Sequence, residues 1–221
     1  MSRSFAIGDI HGCSKTFRFL LFDKIQIKKS DKIYCLGDYI DRGADSKGVI
    51  DLIMELRENG YNIHTLRGNH EQLMIDSVKS EASFNHWIRN GGNATLESFK
   101  ISSYSEIDSQ YKNFFSRTKF YVQSGNFVFV HAGLNFQIPN PFTDKGAMLW
   151  IRDFQIDEIF LGRKSIIHGH TPKPLDVILG KLNSIAINID GGCVFKHKPD
   201  LGNLIALDMN QKKIIVVKNI D

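Results

Sequence analysis

Phe5-Ala-Ile-Gly-Asp-Ile-His-Gly12 decides the fold, because its pattern recurs. A short apolar run ends in a glycine, and the glycine is followed by a side chain able to bind a cation. The next run, Lys32-Ile-Tyr-Cys-Leu36, leads into Gly37-Asp-Tyr-Ile-Asp-Arg-Gly43. The third, Tyr61-Asn-Ile-His-Thr-Leu66, leads into Gly68-Asn-His-Glu71. Between the runs lie stretches with helical spacing. Phe17, Leu20, Leu21 and Lys24 mark one, and Val49, Ile50, Leu52, Ile53 and Leu56 mark another over Ser46–Glu58. Glu71–Val78 reads as a further helix. Strand–helix alternation at this spacing predicts βαβ units and parallel strands.

Residues 80–118 read as mostly helical, with a break at Gly91-Gly92. After that the pattern turns β-rich. Phe120–Gln123 and Asn126–Val130 flank Ser124-Gly125 and predict a hairpin. Ser165–Ile167, Ser184–Ile189, Leu204–Leu207 and Lys213–Val217 predict further strands, with a tight turn at Asn210-Gln211. With no repeat, low-complexity tract or Pro/Ser-rich linker, residues 1–221 read as a single compact domain with two sheets and outer helices.

The composition is that of an ordinary globular protein: 42% hydrophobic and 24% charged. That excludes disordered, collagen-like and disulfide-scaffold classes. No apolar run reaches the roughly 18 residues of a membrane span, and the start lacks a signal-peptide core. A cytoplasmic location is expected. The net charge of +4 does not call for nucleic acid. Much of the excess lies in Lys15, Arg18, Lys24, Lys28, Lys29 and Lys32, which read as a solvated helix face and turn. Cys13, Cys35 and Cys193 are odd in number and widely spaced, which fits reduced thiols.

Ligand sites in open α/β sheets lie at the carboxyl ends of parallel strands. If the early strands are neighbours, Asp9, His11, Asp38, Asp41, Asn69 and His70 converge. Val130 runs into His131-Ala-Gly133, and Ile167 into His168-Gly-His170, so later strands add imidazoles. Carboxylates mixed with imidazoles suit a divalent transition metal such as Mn²⁺, Fe or Zn²⁺. The donors suffice for two ions. One carboxylate between the ions could bridge a pair ~3.5–4 Å apart, the spacing that clamps an in-line displacement at phosphorus.

These blocks, with Gly169-His-Thr171, resemble the signatures of the PPP-type serine/threonine protein phosphatases of the calcineurin-like metallophosphoesterase superfamily. The resemblance runs from residue 8 to about 192. Trp150-Ile-Arg-Asp153 and Gly169-His-Thr-Pro172 make it similar to the compact bacterial and phage members, which implies no regulatory subunit. The implied fold is α/β, a four-layer α/β/β/α sandwich of two mixed β-sheets flanked by helices. The implied cofactors are two divalent ions per chain, Mn²⁺ first, with Fe or Zn as alternatives.

By that resemblance Asp9 and His11 hold one ion, Asp38 bridges both, and Asn69, His131 and His170 complete the second. His70 is implied to be the general acid and Asp41 its orienting carboxylate. Arg42, Arg152 and Asn69 are implied to bind the substrate phosphate. The implied reaction is direct hydrolysis of phosphoserine and phosphothreonine in proteins by a metal-bridging hydroxide, without a phosphoenzyme.

The alternative substrate is a nucleotide, as in symmetrical diadenosine tetraphosphatases. Those enzymes usually lack an aspartate at the position of Asp41 and favour Asp where this chain has Glu71. Of the remaining candidates, His64 reads as structural or solvent-facing and His197 as surface. His86 and Trp87 pack the core or line a substrate groove. His168 and Asp190-Gly-Gly192 read as supports behind the site.

Overall fold

The computed structural model describes residues 2–221. A five-stranded sheet has the order β3-β2-β1-β8-β9, formed by Asn62–Thr65, Lys32–Cys35, Ser4–Ile7, Asn203–Asp208 and Lys213–Lys218. β1, β2 and β3 run parallel, while β8 is antiparallel to β1 and to β9. The second sheet has four strands, β4 (Tyr121–Ser124), β5 (Phe127–Val130), β6 (Ser165–His168) and β7 (Ala186–Asn188), in that order. β4 and β5 form the expected antiparallel hairpin, and β5, β6 and β7 run parallel.

The strand period of two separates the side chains into layers. Phe5, Ile7, Ile33, Cys35, Ile63, Leu204 and Ala206 face the helices outside the first sheet. Ala6, Tyr34, Ile205 and Leu207 face Phe129, Ile167 and Ile187 of the second sheet. Val128, Val130 and Ile166 point outward again, onto Leu134, Met148 and Leu161. Tyr34 stacks between the sheets on Phe129, 4.0 Å away and tilted by 5°. Its other neighbour is His64, stacked at 4.8 Å, so His64 is structural. Both sheets are covered on both faces, as the α/β/β/α reading expects.

The helices are α1 (Ser14–Phe19, continued by a π-helical turn to Ile25), α2 (Ser46–Glu58), α3 (Asn69–Asp76), α4 (Glu81–Trp87), α5 (Asn93–Phe99) and α6 (Ser109–Ser116). α7 (Lys145–Trp150), α8 (Glu158–Leu161) and α9 (Leu175–Gly180) follow. α2 spans the residues its apolar spacing predicts, capped by Asp45, which accepts from the Gly48 N–H at 2.9 Å. α3 begins two residues earlier than Glu71, because Gly68 serves as its N-cap and Glu71 reaches back to the Gly68 N–H. Asn69 and His70 thereby lie on the first turn of a helix. The expected break is at Gly91, whose φ is 104° between α4 and α5. No helix among the described residues is long and apolar enough to cross a membrane.

Candidate active site

The loops leaving β1, β2, β3, β5 and β6 meet at one end of the sandwich, and they hold side chains in conformations that L residues seldom adopt. His11, Asp38, Asp41, Arg42 and His170 all have positive φ, between 47° and 71°. Such strain persists only where the surroundings over-determine it, and it concentrates at working sites. The glycines serve close approach. A Cβ on Gly68 would land on the Asp38 carboxylate, and one on Gly169 on that of Asp9.

Asp9, His11, Asp38, Asp41, Asn69, His70, His131 and His170 are all buried. Two groups share Asp38. The donor atoms of His11, Asp38 and His70 lie within 4.8 Å of one another, as do those of Asp38, His131 and His170. Asp38 Oδ2 is 3.5 Å from His11 Nε2, and Asp38 Oδ1 is 3.5 Å from His131 Nε2. Asn69 Oδ1 joins the second group, 2.9 Å from His131 Nε2 and 2.9 Å from His170 Nδ1. Asp9 stands outside both groups. It accepts from the His170 N–H at 3.1 Å and neighbours a second buried carboxylate, Asp190.

The proton inventory shows that this arrangement fits a cation. His131 Nδ1 lies 3.0 Å from the Leu36 carbonyl, and His11 Nδ1 lies 2.8 Å from the Ile40 carbonyl. A carbonyl can only accept, so each Nδ1 carries the proton and each Nε2 presents a lone pair. For His131 that lone pair faces Asn69 Oδ1 and Asp38 Oδ1, both acceptors. A positive ion among these atoms would satisfy the lone pair and both oxygens at once. Burial first, then neighbouring positive groups, lowers the pKa of His131 and drives that of His170 down to about 3, against charged rings. His170 Nε2 is buried with no partner. An imidazole whose far N–H is fixed by a backbone carbonyl is the usual support of a metal ligand.

Burial pushes the Asp38 carboxyl up, but His131, His70, His11 and His170 outweigh it and hold it below the usual carboxylate range. Asp9 goes the other way. Burial, then Asp190 and Asp38, raise its pKa, a cost that a bound cation would relieve. Burial likewise raises Asp190 to about 7.

His70 is set apart from the other rings. Its Nδ1 lies 2.7 Å from Asp41 Oδ2, and its backbone N–H donates to Asp38 Oδ1 at 3.1 Å. Burial disfavours its charge, but Asp38 and Asp41 overcome that and raise its pKa. Asp41 is itself held by donors. Thr95 Oγ1 lies 2.6 Å from its Oδ1, and Trp87 Nε1 lies 3.0 Å from its Oδ2. Trp87 is fully buried and packs in the core, the first of the two readings given for it, whereas His86 is exposed.

Thr95 had no signal in the sequence. Nor did the second duty of Glu71, whose carboxylate accepts from the N–H groups of Asp38 at 2.9 Å and Tyr39 at 2.8 Å as well as capping α3. Glu71 thus ties the loop after β2 to the helix after β3.

The arginines occupy the rim, and both are exposed. Arg42 Nη1 touches His11 Nε2 at 2.7 Å. That nitrogen has one lone pair, so a cation on His11 would release the Arg42 guanidinium toward an incoming anion. Arg152 lies near enough to His170 to oppose its protonation. Beside them Trp150, 41% exposed, presents an edge to His170 at 6.1 Å.

Comparison with known proteins gives the site a context. Over 90 residues, 39% of this chain, it is 42% identical to "Serine/threonine-protein phosphatase 1" of Salmonella typhimurium. That stretch spans only 37% of the relative's own length, and it supports the PPP-type character of the motifs. Over 87% of this chain and 84% of the relative, it is 26% identical to an asymmetrical bis(5'-nucleosyl)-tetraphosphatase of Oceanobacillus iheyensis. Among solved structures, a cold-active protein-tyrosine phosphatase of a psychrophilic Shewanella superposes with a TM-score of 0.67 at 14% identity, covering 99% of this chain and 81% of that one. The calcineurin-like phosphoesterase family model matches residues 3–204, and that family works with a dinuclear metal site. The chain belongs to the calcineurin-like phosphoesterase family.

Proposed function

We propose that this protein is a dinuclear-metal-dependent phosphomonoesterase that removes phosphate from phosphoserine and phosphothreonine in proteins. One observation carries the reading. Buried His70 keeps Nδ1 on Asp41 at 2.7 Å, while its backbone holds Asp38, the carboxylate that both donor groups share. A buried acid beside a bridging ligand suits an ester whose alkoxide must be protonated as it leaves.

Asp9 and His11 would hold one ion, Asp38 both, and Asn69, His131 and His170 the second. Bound divalent ions would supply Lewis acidity and a lowered pKa for water. The chain's own groups do the rest. With Nδ1 donating to Asp41, His70 keeps its second proton on Nε2 and gives it to the leaving oxygen, a role worth about 10²–10⁴-fold. Asp41, gripped by Trp87 and Thr95, holds the ring's orientation and its charge. Arg42 and Arg152 meet the phosphoryl oxygens with planar forks, and the Asn69 amide adds a further polar contact.

A nucleotide substrate is the second reading, favoured by the relatives named bis(5'-nucleosyl)-tetraphosphatases. Asp41 paired to His70, and Glu71 in place of Asp, favour the phosphoprotein. A side-by-side rate comparison with Mn²⁺ decides between them. The phosphothreonine peptide should be hydrolysed with the higher kcat/KM, and a far higher value on diadenosine tetraphosphate overturns the assignment.

A further inference from the structure

A cavity of about 240 Å³ adjoins the candidate centre. His168 and Asn188, which face each other across β6 and β7, form part of its wall, and the apolar body of α9 forms another. It meets the centre at Thr171, the residue after His170, and at Arg152, which lies near His170 itself.

The lining has a definite charge. Arg152, Lys173 and Lys181 contribute cations, and Asp153 is the carboxylate among the lining residues. Apolar groups line the same cavity: the Phe154 ring lies 5.5 Å from that of His168, and Val177 and Ile178 close the α9 side. With three cations to one carboxylate, a concave wall of net positive charge concentrates its field and draws anions. His168 adds a second mark, because its Nδ1 is buried without a hydrogen-bond partner. Asn188 is already engaged by the carbonyls of Gly169 and Thr171 at 3.2 and 3.0 Å.

Size narrows the occupant. Sites that enclose a whole small molecule run from roughly 300 to 1,000 Å³. At about 240 Å³ this cavity suits one charged side chain better than a nucleoside with its phosphates.

We propose that the cavity is a second-anion subsite, which receives the carboxylate or phosphate of a residue beside the phosphoserine or phosphothreonine being hydrolysed. The proposal rests on the phosphoprotein reading above and narrows it to substrates carrying a neighbouring negative charge. Arg152 then serves two anions, standing between the centre and the cavity, whereas Lys173 and Lys181 serve the second alone.

The test is calorimetric binding of hydrolysis-inert phosphonate peptides to the full, Mn²⁺-loaded chain, so that it needs no turnover. Three peptides differ only in the flanking residues, which are Glu, the inert phosphonate analogue of phosphoserine (the phosphoserine peptide) or Gln. The Glu and phosphoserine peptides should bind about tenfold more tightly than the Gln peptide, as one charge-assisted contact gives. The double variant Lys173→Ala/Lys181→Ala should abolish that preference and leave hydrolysis of p-nitrophenyl phosphate unchanged. Preference for only one of the two acidic peptides, lost in the variant, still supports the subsite and identifies the anion.

Equal binding of all three peptides overturns the proposal, as does a preference that survives the double variant. A lysine dependence seen with diadenosine tetraphosphate but not with peptides also overturns it. Failure to hydrolyse any phosphomonoester, with the preference and its loss intact, would remove the proposed activity and leave the subsite standing.

Discussion

The centre around Asp38 and the rim around Arg42 and Arg152 differ in almost every physical respect. At the centre every donor is buried, the rings of His11, His70 and His131 are each tied to a backbone carbonyl or a carboxylate, and His11, Asp38, Asp41 and His170 are held at positive φ. At the rim the side chains are exposed, and Arg42 rests on a donor atom that a cation would claim. A preorganised centre acts where charge develops, in a low dielectric where electrostatic interactions are large. An exposed, solvated rim contributes capture and choice of substrate, each contact worth less. The difference teaches where rate and specificity reside, and it orders the expected effects of mutation.

The largest effect should come from within the centre. His70→Asn should lower kcat by about 10²–10⁴-fold while metal content stays at two ions per chain. A variant that loses its metals would make His70 a ligand, as its place in the first donor group allows. One shell further out, Trp87→Phe keeps the bulk but removes the N–H that reaches Asp41 at 3.0 Å. A loss of about tenfold or more in kcat is expected, within the usual range for such supports. Added to His70→Asn, it should cost little further, because it acts through that ring, and additive losses would break the connection.

At the rim, Arg42→Ala should raise the inhibition constant of phosphate about tenfold, as loss of a charged hydrogen bond implies, with little change in thermal midpoint. An unchanged constant would strip Arg42 of its role. Far from both regions, Asp31 accepts from Arg3 at 2.6 Å and from the Lys28 N–H at 2.8 Å. Burial opposes its charge, but those donors win and lower its pKa. A carboxyl with a lowered folded pKa adds stability above its unfolded value of about 3.9 and loses it as pH falls through the folded value. Asp31→Asn should therefore cost about 1–2 kcal/mol near pH 7, discounted because Arg3 is about a third exposed. The gap to the parent should close as pH falls through the lowered folded value, with specific activity near pH 7 unchanged.

The centre was legible in the sequence, as were Asp41 and Asp190 behind it, but other supports were not. Asp9, His11, Asp38, Asn69, His131 and His170 each stand beside a glycine turn or at a strand end, so local pattern finds them. The strand period likewise revealed both sheets and the hairpin at Ser124-Gly125, although the strands pair so that the turn itself is Gly125-Asn126. Thr95 and Trp87 reach Asp41 from 54 and 46 residues away in the chain, out of irregular helices whose packing no periodicity encodes. Glu71 was visible as a motif letter, but its grip on the Asp38 and Tyr39 N–H groups appears only when β2 and β3 lie side by side. The second-anion cavity depends on residues 152–188 folding around the edge strand β7, and nothing in their order announces a pocket.

Electron paramagnetic resonance of the Mn²⁺-titrated protein tests the central claim most directly. Asp38 shared between two donor groups predicts saturation at two ions per chain, with the exchange-coupled spectrum of a bridged pair. A single ion at saturation, or two magnetically isolated ions, would contradict it.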